Sequence, residues 1–311
     1  MINEYLIEPH WANWMLVLEM FAAGVAAGTF LFIALANLAG GKGRAGTEDR
    51  EVAARLGFVP LPLMLVVAIL LVVDLGQPFR FLNLVVRSPI AEERGPSPIM
   101  FNLNSPMNWG TAVIVVFGLF TLVAFLDALF HTGRWRLALS EALSHNPVWL
   151  AIGAFFALAT GAYSGVLINV TSQNVWGDTF LLGALFAAFS ALSGMAVAAI
   201  ATDRMRAPRT AGAVRSGLIG FAAICGLLLA LLVINLLAVG RASPLIGTMR
   251  ELVAPVFWIG VVGAAILAPI VLLLLRRRPA TRLAVVGVVV LAGVLAFRYS
   301  MLYSALAAVE G

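Results

Sequence analysis

Eight apolar runs constrain this chain more than any other feature. They cover 13–39, 52–75, 108–131, 147–170, 177–202, 213–239, 251–275 and 281–305. Each is as long as the roughly 20 residues that carry an α-helix across the hydrocarbon core of a bilayer. In hydrocarbon every backbone N–H and C=O must find its partner within the protein, so segments of this length read as helices. The expected fold class is an all-α integral membrane protein with about eight transmembrane helices in two packed four-helix bundles. Composition agrees, with 62% hydrophobic and only 11% charged residues, against about 25% charged in soluble domains. No polar stretch is long enough to fold alone, so 1–311 reads as one membrane domain. Helices one to four fall in 13–170 and helices five to eight in 177–305.

The charges report topology. An even number of crossings puts both termini on one face, side A, together with the loops 76–107, 171–176 and 240–250. Side B holds the turns near 40–51, 132–146, 203–212 and 276–280. Of the 20 Lys and Arg residues, fourteen lie on side B or its helix ends and five on side A, with Arg298 inside the last run. Basic residues accumulate on the cytoplasmic face, so both termini and the 76–107 loop are expected on the periplasmic face of a bacterial inner (cytoplasmic) membrane. The net charge of +5 therefore reads as a topology signal and gives no reason to expect nucleic acid. The opening MINEYLIEPHWANW lacks a basic region before its first apolar run, so a cleaved signal peptide is not expected.

Several chemistries are disfavoured. One cysteine, Cys225, cannot hold an iron–sulfur cluster and reads as a small buried hydrophobe. The histidines, His10, His131 and His145, all fall at or beyond helix ends, so a haem ligated by facing histidines is not expected, nor a metal cluster. Gly24 and Gly28, spaced GxxxG, read as a close helix-packing face. Trp11, Trp14 and Trp176, near helix ends, read as interfacial anchors.

Ionisable groups at membrane depth point to function. Glu19 lies about two turns into the first run from side A, and Arg298 at similar depth in the last, so the two could pair. Asp74 closes the second run on side A. Asp127 lies near side B and reads mainly as a solvated helix end. Tyr163, Ser164 and Asn169 fall in the side A half of the fourth run, with Asn13 opening the first and Asn108 the third. These residues, from runs one to four, converge on side A, where they could hydrogen-bond a lipophilic carbonyl compound. The 76–107 loop, with five prolines, reads as an ordered docking surface.

The motifs carry a resemblance. DLGQPFRF at 74–81 followed by SPMNWG at 105–110 resembles the polysulfide reductase/NrfD family of membrane subunits. So do FAAGVAAGTF at 21–30, YSGVLI at 163–168 and WGDTFLLGALF at 176–186. The similarity covers most of 11–200, and residues 201–311 match by hydropathy and helix count. Gln77 stands where the family usually has Arg, and Asn108 where it usually has Ser. The resemblance implies a quinone-reactive subunit that passes electrons between membrane quinone, menaquinone or ubiquinone, and a periplasmic ferredoxin-like iron–sulfur subunit. A molybdopterin catalytic subunit is often present too. It further implies a quinone near the partner-facing surface within the first four helices, with coupled proton exchange.

The expected quinone contacts are His10, Asn13, Gln77, Asn108, Tyr163 and Ser164. Tyr163, Ser164, Gln77 and Asn108 lie in matched motifs, and His10 and Asn13 rest on predicted depth. Glu19, Asp74 and Arg298 are the expected proton-exchange groups, and no haem or iron–sulfur cluster is expected in the chain. The competing readings are a secondary transporter and a structural anchor without quinone.

Overall fold

A computed structural model describes residues 13–39, 44–74, 105–132, 138–171, 173, 175–247, 253–275 and 283–309. Every regular element among them is helical. They are α1 (Trp14–Ala39), α2 (Arg44–Leu56), α3 (Pro60–Asp74), α4 (Pro106–Thr132), α5 (Ala138–Ser144) and α6 (Pro147–Asn169). After these come α7 (Leu182–Met205), α8 (Pro208–Val239), α9 (Ser243–Ile246) and α10 (Val253–Pro255). A π-helical segment, Val256–Leu267, joins α10 to α11 (Ala268–Leu275), and α12 spans Leu283–Val309. Eight helical stretches among the described residues are long and apolar enough to cross a membrane, and they coincide with the eight runs read from sequence.

Helix α7 is the hub. It packs on α1, α6, α8 and α12, while α1 also packs on α3 and α6. Of the most apolar window, 89% is buried in α1 and 67% in α7, against 22% in α4 and 28% in α8. The first two are therefore interior helices and the others present wide faces outward. Their side chains explain the difference. Small residues fill the α1–α7 contact, where a Cβ on Gly28 would overlap the Ser190 carbonyl and the Gly194 backbone, and one on Gly194 would overlap Gly28. Close backbone approach of this kind replaces the hydrophobic driving force that lipid cannot supply. The packing role read for the GxxxG pair is borne out at Gly28, with Gly194 of α7 as its partner, while Gly24 makes room for the Arg298 guanidinium and the Ser190 hydroxyl.

Two expectations need correction. The second run, read as one helix over 52–75, is broken. Amphipathic α2 ends at Leu56, a turn covers Gly57–Val59, and α3 begins at Pro60. Gly57 sits against the Ala124 carbonyl and Ala128 of α4, where a Cβ would clash, and Pro60 has no N–H to continue the ladder. The second correction concerns Trp176, which is not an interfacial anchor. It is fully buried, and its Nε1–H donates to the Met301 carbonyl at 2.7 Å. Trp14, by contrast, is 63% exposed, as an anchor would be. Cys225 is buried, as expected.

Trp176 belongs to a stitched side A corner. Asn169 donates to the carbonyls of Trp176 and Thr179. The Val175 N–H donates to Asp178 Oδ2 at 2.9 Å, and Arg241 pairs with Asp178 at 2.8 Å. Val175 has φ +71, a left-handed conformation that a β-branched residue adopts only when its surroundings impose it. Asn169 therefore serves the corner and not the candidate pocket. Replacing Trp176 with Phe should lower stability by about 1–3 kcal/mol, from the lost bond and the lost indole volume. Thermal unfolding in detergent, followed against wild type, measures that loss.

Candidate functional site

The side A ends of α1, α3, α4 and α6 bring the sequence-read residues together. Asn13 precedes α1, and its Oδ1 accepts from the Leu16 N–H at 3.1 Å, the geometry of a helix N-cap. Its Nδ2 donates to Asp74 Oδ1 at 2.9 Å. One side chain thus caps α1 and ties it to the end of α3. This fixes Asp74, half-buried, at the side A end of α3.

Glu19 lies six residues further along α1, about 9 Å deeper at 1.5 Å per residue. It is 4% exposed and close enough to feel the charges of Arg298 and Asp74. Tyr163 of α6 is half-buried and lies within electrostatic reach of Glu19. Its ring rests on Gly110 of α4, where a Cβ would overlap the phenol. The glycine of the NWG turn is therefore the space the tyrosine occupies. Asn108, two residues earlier in α4, is half-buried at the same end.

Ser164 faces elsewhere. One residue is about 100° of helix rotation, which puts it on the buried stripe of Gly161, Gly165 and Ile168. That stripe meets α7, because a Cβ on Gly165 would clash with Leu182 and Phe186. His10, Trp11 and Gln77 lie outside the described residues, as does all of the 76–107 loop except 105–107.

Arg298 is 1% exposed in α12. The expected ion pair with Glu19 does not form, because the guanidinium is held by α7. Its Nη2 instead donates to Ser190 Oγ at 2.9 Å and to the Phe186 carbonyl at 3.2 Å. The guanidinium lies 4.1 Å from the centre of the Phe186 ring. The α7 backbone and an aromatic face hold the cation where a carboxylate was expected.

The family model for polysulphide reductase, NrfD, matches residues 7–310, nearly the whole chain. The chain belongs to the NrfD family. Members are membrane subunits of quinone-linked oxidoreductase complexes. The match extends the sequence resemblance through residues 201–310, which motifs alone had not reached. No individual curated protein matches the chain.

With the NrfD family established, the residues that sequence reasoning missed can be named. Gly110, Phe186 and Ser190 shape the site, yet each reads as ordinary helix filling in one dimension. Ser190, Ser193 and Gly194, at i, i+3 and i+4, were a usable signal for a polar, closely packed face of α7.

A cavity of about 50 Å³ lies toward side B and is lined by Phe30, Asn37, Arg50, Asp127, His145 and Trp149 among others. Asn37 is eighteen residues from Glu19 on α1, roughly 27 Å along the helix. The cavity has room for about three to five water molecules, too little for a quinone ring. It places Asp127 in a polar recess, where sequence suggested a simple solvated end. Among the described residues no three His, Cys, Asp or Glu side chains gather as a metal site.

Proposed function

We propose that this chain is the quinone-reactive subunit of a multi-subunit oxidoreductase, exchanging electrons between membrane quinone or quinol and an iron–sulfur subunit docked on side A. The observation that carries the reading is the half-buried Tyr163 phenol seated against Gly110 of α4, at the end that also holds buried Glu19 and where the family motifs cluster. A half-buried phenol, a half-buried amide and a buried carboxyl at one end of the bundle suit a lipophilic head group whose oxygens accept hydrogen bonds and exchange protons. Bound there, the quinone supplies the electron and proton chemistry that the chain itself lacks.

In this reading Tyr163 and Asn108 hydrogen-bond the head group. Glu19 and Asp74 exchange its protons, with Arg298 countering the negative charge at Glu19. Asn13 acts by orienting Asp74, because its amide is already engaged. His10 and Gln77 complete the proposed head-group contacts. The excess of basic residues on side B favours a periplasmic side A, with the 76–107 loop as the partner's docking surface. A molybdopterin subunit beyond the iron–sulfur partner would hold the terminal substrate.

The experiment is gentle solubilisation of the tagged chain from its native membrane, with subunits identified by mass spectrometry and quinone extracted from the same sample. The expected result is an iron–sulfur protein, a larger catalytic subunit and bound quinone. A partner without quinone would leave a structural anchor. The chain alone, without quinone, would favour a transporter.

A further inference from the structure

We infer that water molecules bound inside the bundle join Arg298 to Glu19, and that Arg298 is a positioning residue for proton exchange at that carboxyl. The second half rests on the quinone-reactive reading; the first does not.

The argument begins with the donors of the guanidinium. Arginine carries five N–H groups and cannot accept. At Arg298 only Nη2 reaches protein acceptors, Ser190 Oγ and the Phe186 carbonyl. Buried Nε and Nη1 have no protein partner. A charged group with unpaired donors at membrane depth is costly, and the aromatic faces of Phe186 and Phe297 offset only part of that cost. Something must accept from these donors.

The candidates are few. Among the described residues no carboxylate stands at ion-pair distance from Arg298, whose Nη2 meets α1 at Gly24, 2.7 Å from where a Cβ would stand. Glu19 lies five residues back along the same helix, about 7.5 Å at 1.5 Å per residue, a gap that a short chain of water molecules spans. The bundle also offers further partners for water. Thr29 of α1, Thr160 of α6 and Ser300 of α12 carry buried hydroxyls that also have no protein partner. These three helices all pack on α7 or on each other. Buried water is held by such otherwise unsatisfied groups, usually about three at a time.

The consequence is specific. Ser190 and the Phe186 carbonyl fix the cation, and the cation fixes the water. Through it Arg298 sets how readily Glu19 gives up or takes a proton. A direct pair would lock the carboxylate charged; a water link lets its charge follow its surroundings. The other ionisable groups near this pair are Asp74 and Tyr163 on the Glu19 side and the Cys225 thiol on the Arg298 side.

The test uses the intact complex with its partner subunits. Brief X-ray irradiation generates hydroxyl radicals from bound water, and mass spectrometry locates the oxidised side chains. Phe186 and Phe297 should be labelled several-fold more than Phe117 and Phe257, which are equally buried but away from the guanidinium. Equal, negligible labelling of all four would overturn the water site. The positioning role is read from the pH profile of quinol oxidation in Arg298→Lys and Ser190→Ala. Both should shift the profile while leaving KM for quinol close to wild type, and an unchanged profile in both would overturn the role. If the wild-type complex oxidises no quinol, the quinone reading and the positioning role with it fall, and the labelling still decides the water site.

Discussion

Replacing Tyr163 with Phe should cut quinol oxidation by about 10- to 100-fold while the complex still assembles. The substitution keeps the ring that fills the space above Gly110, so the α4–α6 contact survives. Only the hydroxyl is lost. One hydrogen bond to a reacting group contributes about 1–3 kcal/mol when its removal leaves a buried acceptor unpaired, and a group that also helps move a proton contributes about 10²- to 10⁴-fold. The lower end of the expected range corresponds to binding alone and the upper end to a share in proton transfer. Steady-state quinol oxidation separates them. A raised KM with unchanged kcat would mean that the hydroxyl only holds the head group, whereas a fall in kcat would mean that it takes part in the chemistry. Wild-type turnover in the presence of normal assembly would remove Tyr163 from the site.

The second large effect concerns the frame. Gly28→Leu should reduce folded protein recovered from the membrane by about tenfold or more. The added side chain meets backbone, the Ser190 carbonyl and Gly194, and backbone cannot rotate aside as a side chain can. Overpacking a close contact costs about 1–3 kcal/mol and occasionally more, and losses of 1–2 kcal/mol already change cellular abundance several-fold. The α1–α7 crossing also holds the Arg298 cradle, since Ser193 Oγ donates to the Gly24 carbonyl one turn away. Gly220→Leu on α8 is the control, because a Cβ there meets nothing within 4 Å. Its recovery should match wild type by quantitative immunoblot and by elution profile. Equal recovery of both variants would show that the crossing tolerates separation.

Sequence alone determined the number and the approximate bounds of the membrane-length helices. Apolar runs of this length leave the backbone no partner but itself, so eight helical crossings follow from hydropathy before any contact is known. The small residues at Gly24 and Gly28 announced a close crossing for the same reason, because only a missing Cβ lets two helix backbones touch. Local motifs also placed Asn13, Glu19, Asp74, Asn108 and Tyr163 at one end, since depth along a helix is fixed by residue count.

What sequence could not determine is direction around each helix and the identity of partners across it. Depth agreed for Glu19 and Arg298, yet the guanidinium went to Ser190, Phe186 and an aromatic face. Asn13 and Asp74, which sequence assigned to separate tasks, bond to each other. Trp176 looked like an interfacial anchor from its place at a helix end, and became a buried strut because α12 supplies a carbonyl 125 residues away. Only the tertiary structure decides such pairings. They depend on which helix faces cross within hydrogen-bond distance, and that is set by packing many small residues at once.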